Sequence, residues 1–180
     1  MTATDTLTAA STDPGVFAEM LLGQPLWPHQ LELARSPARY RVMCAGRQVG
    51  KSTLLAVLAL HEAATRRNVR VMLVSAGEVA SRRLLEECAT LANGSALLRG
   101  SVLDESRLVL GLSNGSQILS VPASQRQIRG PAVDLLILDE AGFIDPEIWR
   151  AAQPTRCWLP STLDASTCQV IFLTSAAGCT

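Results

Sequence analysis

Ala45-Gly46-Arg47-Gln48-Val49-Gly50-Lys51-Ser52-Thr53, residues 45–53, is the stretch of sequence that decides the fold. It follows residues 40–44, a short apolar run typical of a buried strand, and leads at once into residues 51–64, which are strongly helical. The first N–H groups of a helix have no partner inside it, so a glycine-containing turn at this point surrounds an anion with backbone donors. The stretch therefore predicts a phosphate-binding loop.

The end of this loop carries the side chains that nucleotide chemistry needs. Gly50 lets the backbone approach a phosphate closely, and Lys51 is expected to reach the β- and γ-phosphates of ATP. Ser52 is expected to place its hydroxyl on Mg²⁺, while Thr53 continues the helix. The alternative is a glycine-rich cap that opens an ordinary helix, but a cap does not explain why Lys-Ser follows the glycine.

A second motif, with two adjacent carboxylates, lies at residues 134–141, Asp-Leu-Leu-Ile-Leu-Asp-Glu-Ala. An apolar strand over residues 135–138 delivers Asp139 and Glu140 at its C-terminal end, where open α/β sheets bind ligands. Asp139 is expected to hold Mg²⁺ through the metal's water shell, and Glu140 to act as the base that deprotonates the attacking water. Alone, such a strand end is often only a solvated terminus; beside a phosphate loop it predicts an ATPase.

The pattern after Pro14 alternates between strands and helices. Apolar strands are predicted at residues 40–44, 69–74, 135–138 and 170–173, helices at 16–22, 28–34, 51–64 and 80–91, and a hairpin at 107–112 and 117–121 around Asn114-Gly115. Such alternation predicts an α/β fold of the P-loop NTPase class (RecA-like, ASCE), in which helices flank a mostly parallel sheet. Residues 1–14 have the composition of a disordered tail, and residues 15–180 are expected to form one domain.

The composition is that of an ordinary globular chain. Of the 180 residues 48% are hydrophobic, and Lys+Arg equals Asp+Glu, so net charge gives no argument for or against nucleic acid. The sequence shows neither an apolar run long enough to span a membrane nor a secretory leader. Five cysteines without a Cys-x-x-Cys pair favour reduced thiols. These features predict a cytoplasmic protein with no membrane partner.

Several segments together resemble one family. The loop 46–52, Gly-Arg-Gln-Val-Gly-Lys-Ser, has an arginine and lacks the usual first glycine, since Ala45 takes that place; residues 128–130 and 133–144 surround the carboxylate motif; and residues 172–178, Phe-Leu-Thr-Ser-Ala-Ala-Gly, follow the next strand. In these features residues 26–178 resemble the ATPase domain of the large terminase subunit of tailed bacteriophages, the motor that packages DNA into procapsids. In that family the variant loop is expected.

The resemblance implies a nucleotide-binding set: Gln30, Ala45, Gly46, Arg47, Gln48, Val49, Gly50, Lys51, Ser52 and Thr53. Residues 27–30, Trp-Pro-His-Gln, resemble the family's adenine-recognition segment, in which the Gln30 amide reads the adenine edge and an aromatic ring supports the base. The alternative for this segment is a proline that opens a helix, followed by a surface glutamine.

The resemblance also assigns catalytic and coupling residues. Beside Glu140, Arg47 resembles the loop arginine that stabilises charge on the γ-phosphate, and Arg129 resembles a finger presented to the ATP of a neighbouring subunit. For both arginines, pairing with surface carboxylates is the alternative. Thr174 and Ser175 lie where the family carries a motif that couples hydrolysis to movement, although Ala176 replaces its usual proline.

The partners implied by the resemblance are double-stranded DNA, a portal protein on a procapsid, a small terminase subunit and further copies of the chain in a ring, all in the bacterial host cytoplasm. The cofactors implied are ATP and Mg²⁺. The family's nuclease domain is absent from residues 1–180, so no nuclease activity is expected of them. Two alternatives remain open: a helicase-like or DNA-repair P-loop ATPase, and an inactive truncated terminase fragment.

Overall fold

A computed structural model of the chain describes residues 3–46, 48–122, 132–152 and 169–175. Within these ranges the strands form one seven-stranded sheet with the order β1-β7-β6-β2-β5-β4-β3. The strands are β1 (Tyr40–Ala45), β2 (Arg70–Ser75), β3 (Val102–Glu105), β4 (Val109–Leu112), β5 (Gln117–Pro122), β6 (Leu135–Asp139) and β7 (Gln169–Ser175). Pairing is parallel from β1 through to β5 and antiparallel for β5-β4 and β4-β3.

Helices cover the sheet, so the predicted α/β architecture is confirmed. They are α1 (Ala3–Thr12), α2 (Pro14–Leu22), α3 (Pro28–Arg35), α4 (Lys51–Thr65), α5 (Glu78–Gly94) and α6 (Pro146–Ala152), with short 3-10 turns at Arg99–Ser101 and Ala141–Phe143. Helix α4 is apolar almost all round because it lies under α5 and against the sheet, with Leu54 to Leu60 buried. A smaller apolar cluster, which includes Ile148 of α6, joins Met72, Leu136 and Val170.

The predicted disordered tail at residues 1–14 is wrong for the described part of that range. Residues 3–12 are the helix α1, whose Ala10 is 1% exposed within the main core. The Asp13 carboxylate then caps α2, accepting hydrogen bonds from the N–H groups of Gly15 (2.7 Å) and Val16 (3.4 Å). The short Ala-, Thr- and Ser-rich segment has little helical signal of its own, and its packing against α2 supplies what the local sequence does not.

The hairpin prediction is confirmed, and the sheet extends one strand beyond it. β4 and β5 are antiparallel around a turn in which Gly115 has a φ of 85°, and the Asn114 amide donates to the carbonyl oxygen of Ala63 at 2.8 Å. No sequence pattern indicated β3, because this edge strand is exposed and Leu103, at 72% exposure, has no buried neighbour on either side. The prediction of reduced thiols fits the buried Cys88 but not Cys44, which is disulfide-bonded, because spacing along the chain says nothing about thiols that folding brings together.

No helix within the described ranges has both the length and the apolar character needed to cross a bilayer.

Candidate nucleotide-binding site

The phosphate loop begins where β1 ends and stops where α4 begins. Gly50 adopts a left-handed backbone conformation, with φ 71° and ψ 29°, as the residue that caps α4. Its carbonyl oxygen accepts the first helical hydrogen bond, from the N–H of Leu54 at 3.0 Å. The N–H groups of Lys51, Ser52 and Thr53 therefore precede the first helical bond and point out of the end of the helix, where an anion is stabilised.

Lys51 reaches back across this loop. Its ammonium group donates to the carbonyl oxygens of Gly46 at 2.8 Å and Ala45 at 3.3 Å, so the side chain spans the concave side of the turn. Lys51 is also the single lysine of the chain. Gln48 has a φ of 62°, a conformation that costs roughly 1–2 kcal/mol outside glycine, which fits a loop shaped for a ligand. Arg47, like Arg129, lies outside the described residues.

The structure brings Gln30 to the loop, but by contacts other than those expected of an adenine reader. Gln30 is 4% exposed, so the alternative of a surface glutamine is wrong. Its side-chain NH₂ donates to the carbonyl oxygens of Gly50 at 3.0 Å and Val49 at 3.3 Å, and its side-chain oxygen accepts from the N–H of Trp27 at 2.8 Å. The Trp27 ring is 66% exposed and lies edge-on to His29, with 5.9 Å between ring centroids.

The side chain of Thr53 contacts protein in this structure. Its hydroxyl donates to the carboxylate of Glu87 on α5 at 3.2 Å, which leaves the backbone N–H of Thr53 as the group directed at a phosphate. Ser52, one position earlier, is exposed at the helix start, in keeping with its predicted role as a metal ligand. Sequence reasoning missed Glu87, because its contact with the first turn of α4 joins two helices 34 positions apart.

The second carboxylate motif ends at the same edge of the sheet. Asp139 is the last residue of β6 and is in register with Ser75, the last residue of β2. Burial raises the pKa of Asp139 and the neighbouring Glu140 charge raises it further, while a backbone hydrogen bond from Glu140 and the Lys51 charge act in the opposite direction. The influence of Lys51 on Asp139 means that the fold brings the two predicted motifs together.

Glu140 stands immediately outside the strand in a strained conformation. Its backbone is left-handed, with φ 51° and ψ 45°, and the 3-10 turn at Ala141–Phe143 follows it. For a glutamate this conformation costs roughly 1–2 kcal/mol, and it turns the chain away from the direction of β6. The conformation separates Glu140 from the strand that holds Asp139, as different roles for the two carboxylates require.

The predicted coupling residues lie between the two motifs. β7 pairs with both β1 and β6, and the pairing with β1 puts Thr174 beside Cys44 and Ser175 beside Ala45, where the phosphate loop starts. The Thr174 hydroxyl accepts a hydrogen bond from the N–H of Gly142 at 3.3 Å, in the turn that follows Glu140. Thr174 therefore contacts the carboxylate motif through its side chain and borders the phosphate loop through its strand.

Ser75 is a further polar group at this edge. Its hydroxyl is buried and has no hydrogen-bond partner in the described part of the structure, although β2 places it in register with Asp139. The sequence signal was a serine at the end of an otherwise apolar strand, which is easily taken for a turn residue. No cluster of three His, Cys, Asp or Glu side chains suited to a metal was found among the described residues, so a metal here depends on Ser52, Asp139 and the phosphates of its ligand.

The fold and this site define the P-loop ATPase class with an additional strand, since β7 lies between the strand that leads into the phosphate loop and the strand that ends in Asp139. No family model matches the chain. In sequence the chain is 29% identical over 150 residues to the large terminase subunit of Thermus virus P23-45, a match covering 71% of this chain and 31% of that protein.

Solved structures give the same result for the fold. The ATPase domain of the large terminase of Thermus phage P74-26 superposes with a TM-score of 0.76 and 24% identity, covering 90% of this chain and 69% of that one. The large terminase of a thermophilic bacteriophage, in complex with ADP, gives 0.60 and 14%, covering 84% and 38%. The resemblance to large terminase subunits is thus confirmed, and this chain has the fold of their ATPase domain. It spans about a third of the length of the curated relatives it matches.

Proposed function

We propose that the chain binds Mg-ATP at this site and hydrolyses it as the motor domain of a DNA-packaging terminase. The observation that carries the proposal is the meeting of the two motifs: the Lys51 ammonium lies within electrostatic reach of Asp139, beside the free first turn of α4. A phosphate chain needs a cation and backbone donors, and its metal needs a carboxylate and a hydroxyl. The thermophilic-phage terminase with bound ADP supports a nucleotide as the ligand.

Each residue of the site has a distinct role in this proposal. The N–H groups from Gly50 to Thr53 and the Lys51 ammonium bind the β- and γ-phosphates, while Ser52 and Asp139 hold the metal. When bound, Mg²⁺ neutralises charge that develops on the phosphates. Glu140 accepts a proton from the water that attacks the γ-phosphate, and the bond to the leaving phosphate oxygen breaks. Arg47 and Arg129 stay proposals for stabilising the transition state.

Coupling to DNA movement is the finer part of the proposal. Thr174 touches the turn after Glu140 and borders the start of the phosphate loop, so a change at either motif is felt at β7. The partners we propose are double-stranded DNA, a portal-bearing procapsid, a small terminase subunit and further copies of the chain, in the host cytoplasm. Ser175 joins Thr174 in this role through its place in the strand.

An ATPase assay of wild type against Glu140→Gln tests the proposed chemistry. Loss of the base is expected to lower turnover about 10²–10⁴-fold while Mg-ATP still binds, because glutamine keeps the size of the side chain but cannot take the proton. Glu147→Gln, on the exposed start of α6, is the matched control. Unchanged turnover in Glu140→Gln sinks the assignment of the base.

The same assay separates the other functions considered for this chain. Stimulation of wild type by portal-bearing procapsids supports a packaging motor, whereas stimulation by DNA alone favours a helicase-like ATPase. A folded wild-type chain that binds Mg-ATP without turning it over favours an inactive fragment.

A further inference from the structure

The buried amide of Gln30 uses its donors on the backbone of the phosphate loop. Both contacts of its NH₂ group, at 3.0 Å to Gly50 and 3.3 Å to Val49, are to carbonyl oxygens, and an NH₂ group has two protons to give. Its oxygen is held by the N–H of Trp27, which fixes the orientation of the amide. Gln30 is therefore anchored at the start of α3 and grips two successive peptide units of the loop.

These two contacts determine where the loop's own N–H groups point. In a trans peptide the C=O and N–H of one unit point in opposite directions, and the described residues contain no cis peptide bond. Because Gln30 holds the carbonyls of Val49 and Gly50, the N–H groups of the following residues, Gly50 and Lys51, face away from Gln30. Those are donors that a phosphate requires in such a loop.

We infer that Gln30 is a positioning residue that orients the phosphate-binding backbone of the loop and does not select the base. This inference rests on the proposed ATP site and refines it. It predicts that Gln30 contributes equally to the binding of any triphosphate, whatever base is attached.

The packing around Gly50 supports this assignment. A Cβ atom built on Gly50 lies 2.7 Å from the Gln30 nitrogen, closer than real contacts allow, so Gly50 serves this approach as well as its left-handed conformation. Adenine recognition by the same amide needs its NH₂ to donate to the ring, but both protons already serve the loop. Reading the base therefore requires breaking bonds that shape the phosphate site.

The test compares three ligands with Mg²⁺ present: ATP, GTP and inorganic triphosphate, which has no base. Gln30→Met keeps the side-chain volume and removes the hydrogen bonds, and Gln24→Met makes the same chemical change at an exposed position. We expect Gln30→Met to weaken all three ligands by the same factor of about ten, or about 1.4 kcal/mol, with an unchanged ATP-to-GTP ratio. Gln24→Met should bind like wild type.

Three results overturn the inference. Weaker ATP binding with unchanged triphosphate binding makes Gln30 an adenine reader, and unchanged binding of all three removes its positioning role. Should Gln30→Met fail to fold, the wild-type side-chain amide resonance of Gln30 decides: slow proton exchange without nucleotide supports the inference, and solvent-like exchange overturns it. The proposed function fails separately, by a wild-type chain that binds none of the three ligands.

Discussion

The two edges of the parallel sheet both contain buried polar groups, but the protein satisfies them differently. At the amino edge, where β1, β6 and β7 begin, the buried Arg41 guanidinium donates to the carbonyl oxygens of Ala34 (3.3 Å) and Leu33 (3.4 Å) and to the Gln169 side chain. At the carboxyl edge, where the same strands end, the charge of Asp139 is so poorly compensated by the protein that its pKa is raised. One edge is closed by the chain's own groups, and the other is left for a ligand to complete.

Empty space does not make this distinction. A cavity of about 270 Å³ lies at the amino edge, lined by Arg41, His61 and Gln169 among others. There burial lowers the pKa of His61, which packs edge-on against Phe17 with 5.2 Å between ring centroids, so the packing role expected for this histidine is confirmed. The comparison teaches that uncompensated charge and free backbone donors mark the nucleotide site better than volume does.

Lys51→Ala should give the largest functional effect at the carboxyl edge. Removal of the ammonium group is expected to lower turnover by about 10²–10³-fold, because a positioned cation next to the γ-phosphate is lost. The melting temperature should change little, since the lost partners are exposed or half-buried carbonyl groups. Steady-state ATPase kinetics and thermal unfolding measure both quantities.

The wild-type chain offers an internal check on this prediction. Because Lys51 is the single lysine, an amine-selective reagent modifies only Lys51 and the chain's N-terminus. Mg-ATP should protect Lys51 from the reagent and leave the N-terminus reactive. Equal labelling of Lys51 with and without Mg-ATP contradicts its contact with the phosphates.

Arg41→Met should give the largest stability effect at the amino edge. The change leaves three buried acceptors without this donor, so we expect a loss of roughly 2–4 kcal/mol in the free energy of unfolding, with the affinity for Mg-ATP unchanged in the folded fraction. Arg35→Met is the matched control, because the Arg35–Asp13 pair at 2.9 Å is half-exposed and worth about 1 kcal/mol or less. Equal losses from the two variants would show that the amino edge is not specially stabilising.

Asp139→Asn should give a smaller effect of opposite sign. The raised pKa means that the ionised carboxylate destabilises the folded chain at neutral pH, so the amide should raise the melting temperature in the absence of nucleotide while abolishing stabilisation by Mg-ATP. The stability that goes with the neutral form is fully present below the ordinary pKa of 3.8 and is lost as the pH rises through the raised value. The advantage of the variant should therefore disappear as the pH falls towards 3.8. A melting temperature equal to wild type at pH 7 would contradict the open carboxyl edge.

The parts of this molecule that could be predicted from sequence are those in which a local pattern determines the structure. The strand-loop-helix at 40–64 and the strand ending at Asp139 are such patterns, and the predicted helix cap by Asp145, which accepts from the N–H of Glu147 at 2.8 Å, is another. The parts that could not be predicted depend on contacts across the fold. Helix α1 exists through packing of small residues against α2, which no periodic pattern announces.

The same limit applies within the site. Residue types at the right spacing identified Lys51 and Asp139, but only the fold shows that Gln30 grips the backbone 20 positions away. Likewise, a serine and a glutamate among ordinary neighbours gave no reason to single out Ser75 or Glu87. Hydrogen bonds between distant segments are chosen by geometry, and geometry is not written in spacing along the chain.

The left-handed backbone of Glu140 has a consequence for laboratory evolution. Asparagine tolerates a φ near 51° better than glutamate does, so Glu140→Asn relaxes the backbone and removes the proposed base in one step. A library sorted only for heat resistance or soluble yield will therefore enrich folded, nucleotide-binding chains that do not turn over. Any screen on this scaffold must reward hydrolysis in every round, because improvement in folding quality favours loss of this side chain.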